Sequence, residues 1–130
     1  MLMKYVYPAI FEPAKEGGYI VSVPDIEGCF TEGDTLAEAM AMAQDAIAMM
    51  MVYYEDNNKK IPLSSSINDI DKTKGIVSYV LADTDQWRKT FDNKAVKKTL
   101  SIPSWLNTKA LNAGLNFSQV LQEALIERLS

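Results

Sequence analysis

Residues 96–130 constrain the fold more than any other part of the chain, because their pattern is one strand followed by two helices. Residues 96–102 alternate as a strand and Pro103 closes it, residues 104–113 have a helical pattern, and Gly114 stands where a left-handed helix stop belongs. About 35 residues bury too little surface to fold alone, and a single strand leaves both of its edges unpaired. The pattern therefore predicts that two copies of this segment fold together.

Two copies can pair their strands antiparallel, above four interlocked helices. This arrangement buries more surface and pairs a strand edge of each copy. This is the ribbon-helix-helix arrangement (β-α-α, an intertwined dimer), and it requires a homodimer. Strand alternation directs Leu100 and Ile102 toward the helices, and Leu121 and Leu125 lie on one apolar stripe of the second helix. We predict that these four residues form the dimer core, and assembly beyond the dimer is left open.

The opposite face of the paired strands has the side chains to read DNA. A two-stranded ribbon fits the major groove, where Lys97 can donate to guanine and neighbouring hydroxyls can donate or accept. Asn116 is the expected N-cap of the second helix, with Gln119 as its capping partner, and exposed amides there suit a DNA phosphate. Taken singly, each strand position fits a solvated face better than a DNA contact, but the order of the elements favours DNA binding. The predicted DNA-binding residues are Lys97, Thr99, Ser101, Asn116, Phe117 and Ser118.

Charge is divided unevenly along the chain. Residues 1–85 hold six Lys/Arg and fourteen Asp/Glu, whereas residues 86–130 hold seven Lys/Arg and three Asp/Glu. An acidic body joined to a basic tail indicates two partners of opposite charge, although chance asymmetry is the simpler alternative.

Several chemistries are excluded by composition. The chain has no histidine and one cysteine, so Ser-His and Cys-His catalytic pairs, His-containing zinc sites and internal disulfides cannot form within it. Cys29 is expected to be a small buried residue, and we expect no cofactor and no bound metal. No apolar run reaches the roughly 20 residues of a membrane span and no signal pattern is present, which predicts a cytoplasmic protein without a membrane partner.

The first part of the chain predicts one sheet packed against one helix. Strand patterns occupy residues 4–11, 19–23 (after a Gly17-Gly18 turn), 29–31 and 75–81. Thr35 and Glu38 form a capping box for a helix that ends near residues 57–58. The expected buried stripe of this helix is Leu36, Met40, Ala43, Ile47, Met50 and Tyr54. The fold class is therefore α+β, with a β-β-β-α-β domain over residues 1–83, a linker over 84–95 that includes a candidate short helix at 84–91, and a second domain over 96–130.

Two segments resemble the HicB antitoxin family. The stretch GGYIVSVPDIEGC at 17–29, followed by TEGDT at 31–35 and Glu38-Ala39, resembles the family's glycine-led strand, Pro-Asp-x-x-Gly-Cys turn and Gly-Asp-Thr helix start. The tail KTLSIPSWL at 98–106 resembles the ribbon-helix-helix found in one HicB subgroup.

The resemblance implies a non-enzymatic antitoxin with a partial RNase H-like N-terminal unit. That unit would cover a HicA-type toxin, a small basic protein that cleaves mRNA, and the acidic body suits such a partner. The resemblance also implies that the chain binds its own operator DNA and represses its operon. The exposed residues of the first unit that we expect to contact the toxin are Tyr19, Pro24, Asp25, Glu27 and Glu32.

Two other functions remain open from the sequence. A metal-dependent nuclease needs convergent carboxylates, and the acidic residues at 25–34, with Glu12, lie mostly in turns where single acids normally sit. A stand-alone ribbon-helix-helix regulator, with an N-terminal domain that senses a ligand or another protein, is the second alternative. The presence of a neighbouring gene for a small, basic, histidine-containing protein would favour the antitoxin interpretation over the stand-alone regulator.

Overall fold

A computed structural model describes residues 4–130, so the start of the predicted 1–83 domain lies outside the described residues. The chain divides into two compact units, one that ends at Lys94 and one that covers Ala95–Ser130. The first unit holds an antiparallel sheet in the order β3-β2-β1-β4. Its strands are β1 (Lys4–Pro13), β2 (Tyr19–Ser22), β3 (Phe30–Gly33) and β4 (Ile76–Asp83), with α1 (Leu36–Asp56) between β3 and β4 in the chain. The predicted β-β-β-α-β order is confirmed.

The core lies between one face of the sheet and α1. On β1, the alternate residues Tyr7, Ala9 and Phe11 are buried, and their partners across the ladder include Val80 and Val21. The regular alternation of strand side chains therefore directs one side of the sheet to the helix and leaves the other side away from it.

The buried stripe of α1 differs from the predicted one. Ala43 and Ile47 are buried as expected, but the stripe continues through Ala39 and Met51, each 0% exposed, while Leu36 is 42% exposed. Met40, Met50 and Tyr54 are only partly buried at its margin. Alanine carries no long side chain, so a helix face built on alanine can approach the sheet closely.

Both ends of α1 follow local signals in the sequence. The hydroxyl of Thr35 accepts a hydrogen bond from the backbone N–H of Glu38 at 3.1 Å, which confirms the threonine N-cap of the predicted capping box. Asn57 is the C-cap, at the predicted end. The first turn packs directly on β3, because a Cβ added at Gly33 would meet the Cα of Ala39 at 2.7 Å.

Residues 84–91 are not part of a free linker. They form α2 (Thr84–Phe91), capped by the Asp83 carboxylate, and α2 contacts α1. The carboxylate of Glu55 accepts hydrogen bonds from Tyr5 Oη at 2.7 Å, Thr84 Oγ1 at 3.0 Å and Arg88 at 3.0 Å. These contacts attach α2 to the first unit, so the predicted linker is shortened to the residues that follow this helix.

The second unit contains α3 (Ser104–Asn112) and α4 (Phe117–Leu129). Gly114 between them has φ +71°, the left-handed conformation predicted for it. The side chain of Asn116 accepts from the N–H of Gln119 at 3.1 Å, which confirms the cap. The expected return bond from Gln119 is replaced, because its side-chain amide donates to Glu123 at 3.2 Å.

The predicted strand at 96–102 is not a strand in the single chain, where the stretch between α2 and α3 has no regular structure. A ribbon strand pairs only with its symmetry mate.

Among the described residues, no helix is both long enough and apolar enough to cross a membrane.

Candidate interaction surfaces

The second unit exposes the residues that were predicted to form a dimer core. Leu100 is 64% exposed, Ile102 47% and Leu125 50%, and Leu121 is half-buried. Within Ala95–Ser130 the structure describes no buried residue at all. An apolar surface of this kind, on a segment without a core, is typical of a unit that completes its fold with a partner.

The predicted DNA-binding residues divide between two places in this unit. Lys97, Thr99 and Ser101 alternate along the irregular stretch before α3, and all three are exposed. Phe117 and Ser118 begin α4, whose first amides have no acceptor within the helix. The side-chain oxygen of Asn116 accepts in the cap, and the side-chain amide nitrogen that the cap does not use can donate to a phosphate.

The predicted toxin-binding residues do not form one cluster. Tyr19 lies opposite Gly33 and Glu32 lies opposite Ile20, at the end of β2 nearest the first hairpin turn. Pro24, Asp25 and Glu27 follow the other end of β2, in the turn that precedes Cys29. The five residues therefore belong to two separate ends of a short strand pair.

Asp25 has a structural partner that the sequence did not reveal. Its carboxylate accepts a hydrogen bond from the backbone N–H of Ser65 at 2.8 Å and from the Ser65 hydroxyl at 2.6 Å. These two bonds fasten the connector between α1 and β4 to the turn that follows β2.

The sheet face turned away from α1 carries an ordered row of side chains. Register places Ile20 directly between Glu32 of β3 and Glu12 of β1. In the next row Phe30 lies opposite Ser22. Ile20 is 45% exposed and Phe30 is 70% exposed. Neither residue was predicted from the sequence to be part of an interaction site. Strand alternation would have placed Ile20 on the face opposite to its buried neighbour Val21.

An open groove of about 710 Å³ adjoins this row at the hairpin end of the sheet. Tyr19, Ile20 and Met42 supply apolar surface to it. Its charged lining consists of Lys15, Glu16, Glu32, Asp34 and Glu38.

The carboxylates considered for a metal site do not converge. In the part of the chain that the structure describes, no three His, Cys, Asp or Glu residues are arranged to hold a metal ion. Cys29 is 3% exposed, and burial raises the pKa of its thiol. Its predicted role as a small buried residue is confirmed.

Comparison with known proteins identifies the family. Residues 7–123 match a protein-family model whose description is "HicB_like antitoxin of bacterial toxin-antitoxin system". The chain therefore belongs to this family. Antitoxin HicB 1 of Photorhabdus laumondii is 43% identical over 77 residues, which cover 58% of this chain and 50% of that protein. Antitoxin HicB of Escherichia coli K12 is 46% identical over 65 residues, 50% of this chain and 47% of that protein.

The fold also matches a solved structure along nearly its whole length. A chain of the toxin-antitoxin complex from Streptococcus pneumoniae is 26% identical, with a TM-score of 0.61 and coverage of 97% of this chain and 99% of that chain. By contrast, the chain covers only about half of the two curated relatives. The resemblance noted in the sequence is thus confirmed at the level of family and mixed α/β fold.

Proposed function

We propose that this protein is an antitoxin that binds and inhibits a HicA-type, mRNA-cleaving toxin and represses its own operon in the bacterial cytoplasm. The observation that carries the proposal is the extent of the family match, which includes residues of both units. The likeness to a chain of a toxin-antitoxin complex, at 97% coverage, supports the same conclusion.

Toxin binding is assigned to the first unit. We assign its sheet and helix to the partial RNase H-like domain that the family resemblance implies. The acidic charge of this unit complements a basic partner. Inhibition needs only a complementary surface that covers the toxin, and the chain has no histidine to serve as the usual general base. We therefore propose a non-enzymatic protein.

DNA binding is assigned to the second unit as a homodimeric ribbon-helix-helix. The exposed Leu100 and Ile102 would become the floor of the paired strands, and Lys97, Thr99 and Ser101 would face the major groove. The α4 N-terminus of each copy would hold a phosphate. The absence of any buried residue among Ala95–Ser130 supports this obligate pairing.

The test is co-expression of the chain with the small protein encoded beside it. The expected result is a complex that survives purification, suppression of mRNA cleavage, and a gel shift of the upstream DNA. Leu100→Asp should yield monomers that no longer shift DNA, because the dimer would bury an unpaired charge.

A different experimental outcome would exclude each of the two proposed roles. Uninhibited cleavage in the presence of excess chain would exclude the antitoxin role, and retained operator binding in that case would indicate a stand-alone regulator. A wild-type chain that is monomeric at micromolar concentration would exclude the ribbon-helix-helix dimer.

A further inference from the structure

The face of the sheet opposite α1 leaves a contiguous apolar area uncovered, which we call the Ile20–Phe30 patch. On that face it consists of Ile20 and Phe30, which are 45% and 70% exposed, and Met42 of α1, which is 41% exposed, lines the same shallow groove. Ile20 and Phe30 are diagonal neighbours across β2 and β3, a spacing at which an aromatic ring reaches its neighbour. Single exposed apolar residues are ordinary, but a patch with a polar rim is typical of a protein interface.

The rim of this patch is acidic. Glu12 and Glu32 flank Ile20 in register, about 10 Å apart across two strand spacings. Glu16, Asp34 and Glu38 line the adjoining groove, where Lys15 is the single cationic side chain of the lining. In the described range, none of these five carboxylates takes part in an ion pair. A cationic group of a partner would relieve the repulsion between these carboxylates.

We infer that the Ile20–Phe30 patch receives a lysine- or arginine-bearing segment of the toxin. The inference rests on the proposed antitoxin function and names the surface that performs it. A long basic side chain fits both parts of the site, because its aliphatic stem packs on Ile20 or Phe30 while its charged end reaches Glu12 or Glu32. Of the predicted toxin-binding residues, Tyr19 and Glu32 line the grooves at this surface, whereas Pro24, Asp25 and Glu27 do not.

Charge argues against a second copy of the chain as the occupant. A two-fold contact places the same surface on both sides of the interface. Glu12 and Glu32 would then meet carboxylates of the partner copy, and like charges in close contact cost several kcal/mol. A basic partner removes that repulsion.

The test uses the full chain and the co-expressed toxin as the probe. Glu12→Lys combined with Glu32→Lys should weaken toxin binding by about 100-fold, because two attractive contacts become repulsive. The matched control is Asp45→Lys combined with Asp69→Lys, which makes the same net charge change at two exposed acids elsewhere in the first unit. This control should change affinity by less than about threefold.

A second variant tests the apolar part of the patch without changing charge. Phe30→Ala should lower toxin affinity about tenfold, since truncated aromatic anchors at an interface cost 1 kcal/mol or more. Circular dichroism and urea midpoints close to wild type would show that the variants remain folded. Operator binding, which belongs to the second unit, should be unchanged in all of them.

The outcomes separate this inference from the proposed function. If the wild-type chain fails to bind the toxin, the proposed function falls and the inference falls with it. If wild type binds, and the charge-reversed chain binds as tightly as its control, only the inference is overturned. A change in the oligomeric mass of the chain alone, caused by Glu12→Lys with Glu32→Lys, would assign the patch to a second copy and would also overturn it.

Discussion

Asp25 and Ser65 are joined by two hydrogen bonds although 40 residues separate them in the chain. The carboxylate of Asp25 takes both the backbone N–H and the hydroxyl of Ser65, so the turn after β2 and the connector after α1 hold one another. Hydrogen bonds to a charged acceptor are stronger than neutral ones, and the partly buried N–H of Ser65 has no other acceptor among the hydrogen bonds described.

Asp25→Ala is therefore expected to lower the free energy of unfolding by about 2 kcal/mol. Urea denaturation measures the change, and hydrogen exchange should show faster exchange of the Ser65 amide. Glu27→Ala in the same turn is the matched control, because Glu27 is exposed, and it should stay within about 0.5 kcal/mol of wild type. Equal effects of the two substitutions would contradict the assigned role of Asp25.

Glu55 makes the corresponding contact between α1 and α2. Its side chain is 5% exposed and accepts from Tyr5, Thr84 and Arg88. Glu55→Ala should cost about 2–3 kcal/mol, because three donors lose a charged acceptor. Asp56→Ala removes the neighbouring acid, which is 56% exposed and also pairs with Arg88, and should cost less than about 1 kcal/mol. Thermal unfolding of both variants would contradict this account if Asp56→Ala were the more damaging change.

Tyr7 should make the stability of the first unit sensitive to alkaline pH. Burial, with smaller contributions from Asp25 and Tyr54, raises the pKa of Tyr7 to about 12 from 10.0. Because the folded state disfavours the ionised phenol, the associated stability is fully present below pH 10 and is lost as the pH rises toward 12. This loss is on the order of 3 kcal/mol for a two-unit shift.

Denaturation midpoints at pH 8, 10 and 11.5 test this prediction in wild type and Tyr7→Phe. The variant should lose about 1 kcal/mol at pH 8, where the hydrogen bond from Tyr7 Oη to the Pro62 carbonyl is missing. Its further loss toward pH 11.5 should be smaller than that of wild type. It should not vanish, because the pKa of Tyr5 is also raised to about 12, first by burial and then by the hydrogen bond to Glu55. Parallel curves for the two proteins would show that Tyr7 does not titrate as described.

The sequence predicted those features that depend on neighbouring residues. The strands of the sheet were predicted from runs of residues that favour strands, and the caps at Thr35 and Asn116 each need only a backbone N–H three positions away. The start of the buried stripe on α1 was predicted wrongly, because ranking by hydrophobicity favours Leu36 over Ala39, whereas close approach to Gly33 favours the smaller side chain.

Contacts between distant residues account for the rest of the differences. The polar Ser65 lies in a connector without a periodic pattern, so nothing near it indicates its bonds to Asp25. In the same way, α2 is polar and short, and its attachment to α1 depends on Glu55, 33 residues before Arg88. Only part of the candidate toxin surface was predicted from the sequence. Tyr19 and Glu32 were among the expected toxin contacts, whereas the position of Phe30 beside Ile20 depends on the pairing of β3 with β2.

Lys97 provides a test of which face of the proposed ribbon reads DNA. If its side chain donates to a base in the operator, Lys97→Ala should cost about 1–3 kcal/mol per copy and should weaken binding to unrelated DNA much less. The control is Lys109→Ala, which removes the same charge from an exposed position on α3. Gel shifts at two salt concentrations measure both effects, because phosphate contacts release counterions and make affinity fall steeply with salt. An equal loss on operator and unrelated DNA would place Lys97 on a phosphate instead of a base, and no loss on either would remove it from the DNA-binding face.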